Sequence, residues 1–313
     1  MMKTFAAIAA LMLVSCAATA ADLRPIDDGY TISQRFDGYK DKYPGIAWPA
    51  VEPQTGQKIL FDQRYKRDGE RELHADVFLP AKPNGQGIVL IHGGGWRSGD
   101  KSHFYALANR LSQRGYTVIL PEFRLSAEAR YPTSLIDVND AILWAKSNAK
   151  DFGFAKLALG GASSGGQMAA LLAYTADQDL FKQPGSDTSV NAVIDLDGVL
   201  DFTDPEALKF ENARGDTSAA GLWLGGSWEK AGDTWAEASA ATHVGAKSPP
   251  TLIISSGLMR FTVGRQKVEA ALDRFGIAHD YLEFANAPHD VWLFDPWQTQ
   301  IVDKMDSFLK AVK

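Results

Sequence analysis

The stretch Gly161-Ala162-Ser163-Ser164-Gly165-Gly166 decides the fold class of this chain. It follows a short apolar run at residues 157–160 and opens a predicted helix at residues 165–174, so its G-x-S-x-G pattern lies at a strand-to-helix turn. Small residues let the backbone crowd together there, which holds Ser163 on a strained corner with its hydroxyl exposed. The helix N-terminus also favours developing negative charge beside that hydroxyl. Such a turn also occurs for structural reasons or at phosphate sites, and the motif alone leaves these alternatives open.

A second glycine-rich element, His92-Gly93-Gly94-Gly95-Trp96, directly follows the apolar run at residues 88–91. An oxyanion loop belongs at this position in folds that carry the strained serine turn. Successive glycines let backbone N–H groups point into a cavity that a β-carbon would block. We expect the amides of Gly94, Gly95 and Ser164 to donate to a tetrahedral oxyanion, each lowering the barrier by about 2.7–4 kcal/mol.

Strands and helices alternate along the rest of the chain. Periodicity predicts strands at residues 73–79, 88–91, 116–120, 157–160, 192–196, 251–255 and 281–284, and helices at residues 102–114, 134–148, 165–174 and 264–275. A C-terminal helix carries the apolar residues Ile301, Val302, Met305, Phe308, Leu309 and Val312. Because parallel strands need a helix to return the chain, this alternation predicts an α/β fold with a mostly parallel central sheet flanked by helices.

Two segments lie outside the alternation. Residues 21–57 are rich in Pro, Gly, Asp and Tyr without a sustained period, which predicts an irregular N-terminal arm. About 50 residues separate the strands at 192–196 and 251–255, whereas connections are usually about 2–6 residues long. We interpret this interval, at about residues 198–250, as a cap that contains Trp223, Trp228 and Trp235. Residues 58–313 then form one domain without an internal linker.

Residues 1–20 are predicted to be an export signal. Lys3 precedes an apolar run at residues 5–14, which is too short to span about 30 Å of hydrocarbon. Ala18-Thr19-Ala20 matches an A-x-A cleavage site, whereas Leu13-Val14-Ser15-Cys16 resembles the lipobox of bacterial lipoproteins. The leader fits both a periplasmic or secreted protein and one anchored to a membrane by a lipid on Cys16. Neither alternative leaves a transmembrane segment in the mature chain.

The composition excludes several classes of protein. The chain has 313 residues, of which 45% are hydrophobic and 22% charged, a mixture typical of a globular, enzyme-sized protein and not of disorder. Its 38 acidic and 32 basic residues give a formal net charge of -6, which argues against nucleic acid as a partner. Cys16 is the only cysteine, so the mature domain has neither an internal disulfide nor a thiolate metal cluster.

A general base for Ser163 is expected after the last strand, since the chain order in this type of fold is serine, acid, histidine. His289 fits this position because it lies in Ala287-Pro288-His289-Asp290, between the strand at 281–284 and the C-terminal helix. His279 is nearer the start of that strand. The remaining candidates, His74, His103 and His243, carry no motif and are expected to be ordinary surface or interface residues.

The acid that orients the histidine is harder to locate. The turn after the penultimate strand usually supplies it, yet this turn reads Ser255-Ser256-Gly257-Leu258-Met259-Arg260-Phe261 and has no carboxylate. The end of the preceding strand offers three carboxylates, at Asp195, Asp197 and Asp201. Asp197 is the first choice, because it lies at the strand's carboxyl edge before a glycine, and Asp201 is the second.

Together these motifs resemble the α/β-hydrolase superfamily, and within it the hormone-sensitive-lipase-like and feruloyl/acetyl-esterase-like branches. The resemblance runs from about Ile59 to the end of the chain. It includes Phe123-Arg124-Leu125-Ser126-Ala127-Glu128 followed by Tyr131-Pro132, whose arginine and glutamate are mainly structural in the family. The resemblance implies an α/β-hydrolase fold with a cap insertion between the sixth and seventh strands. It also implies Ser163 as nucleophile, His289 as base, and the amides of Gly94, Gly95 and Ser164 as oxyanion donors.

The C-terminal part is most similar to exported bacterial esterases that remove acetyl groups from plant cell-wall polysaccharides such as pectin and xylan. The similar stretches are Arg260-Phe261 with Gly264-Arg265, and the run Pro288-His289-Asp290-Val291-Trp292-Leu293-Phe294-Asp295-Pro296-Trp297. By this resemblance, the absence of an acid after the penultimate strand is a property of the subgroup.

The expected reaction is hydrolysis of a carboxylic ester through an acyl-enzyme, which needs no metal or cofactor. Trp96 and Trp292 are expected to narrow the acyl site to suit an acetyl group, and the cap tryptophans either stack on sugar rings or pack the cap. Arg260 or Arg265 is a candidate for binding a uronate carboxylate, the alternative being a structural ion pair. Two other functions stay open: a general small-acyl carboxylesterase, and a non-catalytic carbohydrate-binding protein with the same fold.

Overall fold

The structure is a computed structural model that describes residue 27 and residues 29–312. The predicted export signal, its A-x-A cleavage site and the lipid anchor on Cys16 lie outside the described residues. None of the helices in the described ranges is both long enough and apolar enough to cross a bilayer.

One sheet organises the described part of the chain. Its strands are β1 (Lys58–Asp68), β2 (Arg71–Leu79), β3 (Gly85–Ile91), β4 (Thr117–Pro121), β5 (Phe154–Ala162), β6 (Ala192–Leu196), β7 (Thr251–Ser255) and β8 (His279–Glu283). They lie in the order β1-β2-β4-β3-β5-β6-β7-β8. Across the sheet, each neighbouring pair in the run β4-β3-β5-β6-β7-β8 is parallel. The strand β2 pairs antiparallel with both β1 and β4. The predicted α/β fold with a mostly parallel sheet is confirmed.

Ten α-helices accompany the sheet in the residues described. They are α1 (Ile32–Tyr39), α2 (Tyr105–Gln113), α3 (Thr133–Ser147), α4 (Ala149–Phe152), α5 (Ser164–Tyr174), α6 (Pro205–Glu211), α7 (Ala219–Leu224), α8 (Trp228–Glu237), α9 (Arg265–Arg274) and α10 (Trp297–Ala311). The predicted helix at 102–114 begins as a separate 3-10 turn, Lys101–Phe104, because the Asp100 side chain accepts the Ser102 amide at 2.8 Å. The predicted strands at 192–196 and 251–255 have the bounds observed for β6 and β7.

Both faces of the central strands are buried, as expected for a sheet covered by helices on each side. Successive strand residues point to opposite faces, so Val89 and Ile91 of β3 join the core under α3 and α5. Ile88 and Leu90 join the core under α2 and α10. Parallel strands share one carboxyl edge, and this edge gathers the ends of β3, β5, β6, β7 and β8 where the sequence motifs lie.

The strand β1 was not predicted from the sequence. Its residues, KILFDQRYKRD, are exposed or half-buried throughout, because β1 is an edge strand that pairs only with β2. Register shifts at Leu60/Gln63 and Arg64/Lys66 also interrupt its alternation. An edge strand with polar side chains and bulges lacks the apolar period by which strands are found in a sequence.

The N-terminal arm differs from the predicted irregular segment because it contains α1. Thr31 and Gln34 form a capping box at the start of this helix, each side chain accepting the other's backbone amide. The helix packs on the C-terminal segment through Phe36, whose ring lies 5.7 Å from that of Phe294. A two-turn helix held by such tertiary contacts has too few periodic positions to be found by pattern.

The interval between β6 and β7 carries α6, α7 and α8, in the place predicted for the cap. Trp223 and Trp235 are fully buried there, and Trp228 packs edge-on against Trp235. The Trp223 ring stacks on Trp96 with centroids 4.8 Å apart. Trp223 and Trp235 therefore pack the cap onto the sheet and present no face to a sugar.

Candidate active site

Ser163 lies at the turn between β5 and α5 in a strained backbone conformation. Its φ of 53° and ψ of -122° are unfavourable for a residue with a β-carbon, and such strain is common at active sites. The turn is tight enough that a β-carbon on Gly165 would come within 2.1 Å of the Ile91 carbonyl oxygen. The Ser163 amide donates to the Leu196 carbonyl at 2.8 Å, which ties the bend to β6. This packing explains the small residues of the G-x-S-x-G pattern.

The structure brings Ser163, His289 and Asp197 into one hydrogen-bonded line. His289 Nε2 lies 2.9 Å from Ser163 Oγ, and His289 Nδ1 lies 2.6 Å from Asp197 Oδ2. An ionised carboxylate only accepts hydrogen bonds, so Nδ1 carries the ring proton and Nε2 accepts the serine hydroxyl. This arrangement activates a serine as a nucleophile and stabilises the imidazolium that forms.

Asp197 follows β6 and is held by the segment that follows β7. Its Oδ1 accepts the Ser256 amide at 3.0 Å and the Ser255 hydroxyl at 3.2 Å, and its Oδ2 accepts the Ser256 hydroxyl at 2.5 Å. Its φ of 59° is a second strained backbone angle in this site. Ser255 and Ser256 occupy the turn that usually supplies the acid, and here they orient the Asp197 carboxylate from the neighbouring strand.

The other two candidate carboxylates, Asp195 and Asp201, have other hydrogen-bond partners. Asp195 is fully buried and accepts the Gly198 amide at 2.9 Å; burial and the nearby charge of Asp197 raise its pKa. Asp201 accepts the Thr203 amide and hydroxyl and pairs with Lys267 at 2.7 Å. Within residue 27 and residues 29–312, no group of three His, Cys, Asp or Glu side chains is arranged to hold a metal.

The glycine loop after β3 presents unpaired amides beside Ser163. Gly94 has a φ of 133°, and a β-carbon there would lie 2.1 Å from the Ser98 carbonyl oxygen, so only glycine fits. The Gly94 carbonyl accepts the Ser98 amide at 3.1 Å, which closes the loop. Among the residues described, none accepts a hydrogen bond from the amides of Gly94, Gly95 or Ser164. These three amides are available to a substrate oxygen.

His92, the first residue of that loop, helps to fix the conformation of the loop. Its ring is buried, stacks on Phe123 at 4.5 Å and lies with Nδ1 2.9 Å from the Gly93 carbonyl oxygen. Burial lowers its pKa, which keeps the ring neutral. Because a carbonyl only accepts, Nδ1–H donates to Gly93 and fixes the start of the loop.

Ser163 lines two cavities of different size. The outer pocket, of about 580 Å³, is bounded by Ser163, His289 and Gly94 among others. The inner cavity, of about 60 Å³, is lined by Trp96, Val199 and Ala219 together with Ser163. Trp96 therefore lies where the sequence suggested, against the smaller space.

Two aromatic residues hold the His289 ring. Trp292, predicted to line the acyl site, is buried edge-on against the imidazole at 5.0 Å and lines neither cavity. Phe261 stacks on the imidazole with ring centroids 3.5 Å apart, and it lines both cavities. The sequence reasoning missed Phe261, although it stands in the same turn as the vacant acid position.

The two arginines proposed from the sequence have different surroundings. Arg260 lines both cavities, and its Nε donates to the buried Glu211 at 2.8 Å. Arg265 lines neither cavity: its guanidinium pairs with Glu269 at 2.8 Å and lies 4.0 Å over the Tyr281 ring. Arg265 thus has the structural ion pair, and Arg260 is the arginine that faces the site.

The N-terminal arm forms a wall of the outer pocket, which the sequence did not indicate. Asp290, next to the histidine, is buried and accepts the hydroxyls of Tyr30 at 2.7 Å and Tyr39 at 2.5 Å. Arg35 of α1, whose Nε lies 3.6 Å from Asp290 Oδ2, also lines the pocket. Contacts across more than 250 residues of sequence carry no local signal that pattern analysis detects.

The fold and site define this protein as an α/β-hydrolase, with a serine elbow, a glycine loop and a histidine at the carboxyl edge of a mostly parallel sheet. More narrowly, the chain belongs to the BD-FAE family, whose model matches residues 75–258, more than half of the sequence. The predicted membership of the feruloyl/acetyl-esterase-like α/β-hydrolases is confirmed.

Individual relatives are esterases. The chain is similar to Esterase LipC of Mycobacterium tuberculosis, at 29% identity over 276 residues that cover 81% of this chain and 67% of that protein. It shares its fold with a bifunctional GH43-CE of Bacteroides eggerthii (TM-score 0.67, 22% identity, 80% of this chain and 37% of that one). It also shares it with a truncated carbohydrate esterase from gut microbiota (TM-score 0.66, 20% identity, 84% and 98%). Family and relatives assign the chain to the carboxylic ester hydrolases.

Proposed function

We propose that this protein is a serine esterase that removes acetyl groups from carbohydrate through an acyl-enzyme. The observation that carries the proposal is the 2.9 Å hydrogen bond from Ser163 to His289, together with a cavity of about 60 Å³ that the same serine lines. The hydrogen bond supplies the nucleophile, and the cavity limits the acyl group.

In the first half of the reaction, Ser163 Oγ attacks the ester carbonyl carbon and passes its proton to His289 Nε2. The carbonyl oxygen becomes an oxyanion that accepts hydrogen bonds from the amides of Gly94, Gly95 and Ser164. Asp197 stabilises the imidazolium. When the oxyanion collapses, the bond to the alcohol oxygen breaks, and His289 gives its proton to that oxygen.

In the second half, water loses a proton to His289 and attacks the acyl-serine. The second oxyanion collapses, the bond to Ser163 Oγ breaks, and the proton returns from His289 to the serine. The products are the free acid and the alcohol, and the enzyme is restored without a metal or cofactor taking part.

The inner cavity favours a small acyl group. A water molecule needs roughly 10–15 Å³ of such volume, so about 60 Å³ accommodates an acetyl methyl group and at most a few further heavy atoms. Trp96 forms part of its wall and is fixed by stacking on Trp223 and by its Nε1 donating to Gln167 at 3.1 Å. A longer acyl chain would have to displace these buried side chains.

The outer pocket favours a polar alcohol portion. It is wide and open, and its wall includes Asp27, Arg97 and Ser98, which offer hydrogen bonds to sugar hydroxyls. The similarity in fold to two carbohydrate esterases agrees with such a substrate. The predicted leader agrees with action outside the cytoplasm, either as a periplasmic or secreted enzyme or as one anchored through Cys16.

Turnover of p-nitrophenyl acetate, butyrate and hexanoate tests the acyl preference, followed by acetate release from acetylated pectin, xylan and mannan. We expect acetate to be preferred and Ser163→Ala to abolish turnover of every substrate. A parent protein that hydrolyses hexanoate as well as acetate would contradict the acyl assignment. Release of acetate from none of the polysaccharides would favour the second candidate, a general small-acyl carboxylesterase, which the similarity to Esterase LipC supports.

The non-catalytic alternative rests on the missing acid after β7. Asp197, which is fully buried and in hydrogen-bond contact with His289, supports the enzymatic proposal instead. An absence of both burst and turnover with p-nitrophenyl acetate in the parent chain would still reject the enzymatic proposal.

A further inference from the structure

Three arginines from separate parts of the chain line the outer pocket. Arg35 comes from α1 of the arm, Arg97 from the glycine loop and Arg260 from the turn after β7. Arg97 and Arg260 each donate through Nε to one carboxylate, of Asp27 at 2.5 Å and of Glu211 at 2.8 Å. Among the described residues, none accepts a hydrogen bond from the terminal Nη atoms of these three arginines. Each guanidinium therefore keeps donors available for another partner.

Arg35 has the weakest ion pair of the three. Its Nε lies 3.6 Å from Asp290 Oδ2, beyond hydrogen-bond distance, and the same carboxylate accepts the hydroxyls of Tyr30 and Tyr39. The guanidinium instead lies 4.7 Å over the Tyr30 ring, and its side chain is 42% exposed. Arg35 is thus held in orientation by the arm, while its guanidinium donors stay available to a second anion.

Arg260 is held in a comparable way next to the catalytic histidine. Its guanidinium lies 4.9 Å over the Phe261 ring, and that ring stacks on His289. Its side chain is 44% exposed. Asp290, which neighbours His289 in the chain, anchors the arm that carries Arg35. The two partly exposed arginines are therefore each tied to a residue next to the base, Arg260 to the stacked Phe261 and Arg35 to the adjacent Asp290.

We propose that Arg35 and Arg260 form a subsite for a carboxylate on the alcohol portion of the substrate, so that the preferred ester is an acetylated acidic sugar. A planar carboxylate matches the paired donors of a guanidinium. The carboxylate is assigned to the alcohol portion because the acyl group is assigned to the inner cavity, whereas Arg35 lines only the outer pocket, where Arg260 and Ser163 also lie. This inference rests on the proposed esterase function and adds the class of sugar.

The test compares acetylated oligogalacturonate with the same oligosaccharide after reduction of its carboxyl groups, which removes the charge and keeps the acetyl ester. We expect the parent to have a kcat/KM at least tenfold higher for the acidic form. Arg35→Gln and Arg260→Gln should each reduce this preference about tenfold. Arg64→Gln, a matched control on β1 whose side chain pairs with Glu72 on the surface, should keep the parental preference.

A second measurement needs no variant. Galacturonate should competitively inhibit hydrolysis of p-nitrophenyl acetate by the parent more strongly than galactose does, and added salt should weaken the inhibition. Equal inhibition by the two sugars, or equal kcat/KM for the two oligosaccharides, would overturn the subsite. Parent turnover of p-nitrophenyl acetate separates the two proposals, since its absence rejects the esterase function and its presence with no acid preference rejects only the subsite.

Discussion

Ser256 donates both its backbone amide and its hydroxyl to the carboxylate of Asp197, at 3.0 and 2.5 Å. The two residues follow neighbouring parallel strands, β6 and β7, whose carboxyl ends lie side by side. A carboxylate that hydrogen-bonds to the histidine can therefore follow either β6 or β7 with the histidine in the same place. The end of the other strand then has to supply hydrogen-bond donors to that carboxylate. Ser255 and Ser256 are those donors here.

Asp197→Asn should lower kcat for p-nitrophenyl acetate by about 10³–10⁴, because the amide no longer fixes the tautomer of His289 or stabilises its cation. Asp201→Asn is the matched control. Its side chain caps a turn and pairs with Lys267, so its kcat should stay within about twofold at a temperature well below unfolding. A large loss in Asp201→Asn alone would transfer the role of acid to that residue.

Ser256→Ala should reduce kcat by roughly tenfold with little change in KM, because it removes one hydrogen bond to a charged group that acts in the transition state. Initial rates over a range of p-nitrophenyl acetate concentrations separate the two constants. The Ser256 amide remains in this variant, so the loss should be much smaller than in Asp197→Asn. Equal losses of kcat in Ser256→Ala and Asp197→Asn would show that the Ser256 hydroxyl alone orients the Asp197 carboxylate.

Tyr30→Phe and Tyr39→Phe should each lower the free energy of unfolding by roughly 1–3 kcal/mol, since each leaves the buried Asp290 carboxylate with one partner fewer. Urea unfolding followed by fluorescence measures this change. Tyr43→Phe on the same arm is the control, because among the residues described its hydroxyl has no hydrogen-bond partner. Loss of activity at urea concentrations below the main transition would indicate that the arm detaches first.

Val199→Ala should raise the ratio of hexanoate to acetate kcat/KM by roughly tenfold, because the buried Val199 side chain lines the inner cavity and its truncation makes room for further methylenes. The comparison uses the p-nitrophenyl esters with the parent as reference. An unchanged ratio would mean that the acyl group does not enter this cavity.

His103 should make the protein less stable as the pH falls from about 7 to 4. Burial, reinforced by the nearby His92, lowers the pKa of His103 to about 4, below its ordinary value of 6.5. The unfolded chain therefore binds the proton more readily, and the stability present above pH 6.5 is lost toward pH 4, by about 2 kcal/mol at pH 5. Urea unfolding of the parent and of His103→Gln across this range should show a shallower slope in the variant, and parallel curves would refute the assignment.

The sequence predicted much of the parallel core. Its buried strands have continuous apolar runs, so the bounds of β6 and β7 could be read directly. The polar edge strand β1 and the two-turn helix α1 were not predicted, because neither has enough periodic apolar positions. His103 was expected to be a surface or interface residue, yet it is buried beside Tyr30 of the arm, which no local pattern indicates.

By itself, the sequence determined the α/β class, the strained turn at Ser163 and the glycine loop with Gly94 and Gly95, because each depends on backbone conformations that neighbouring residues dictate. Only the tertiary structure showed which of Asp195, Asp197 and Asp201 contacts His289, since this contact depends on where side chains from β6 and β7 meet. It also decided that Arg260 faces the pocket while Arg265 does not, and that the arm closes one wall. Such contacts join segments far apart in the chain, and their geometry follows from the packing of the whole sheet.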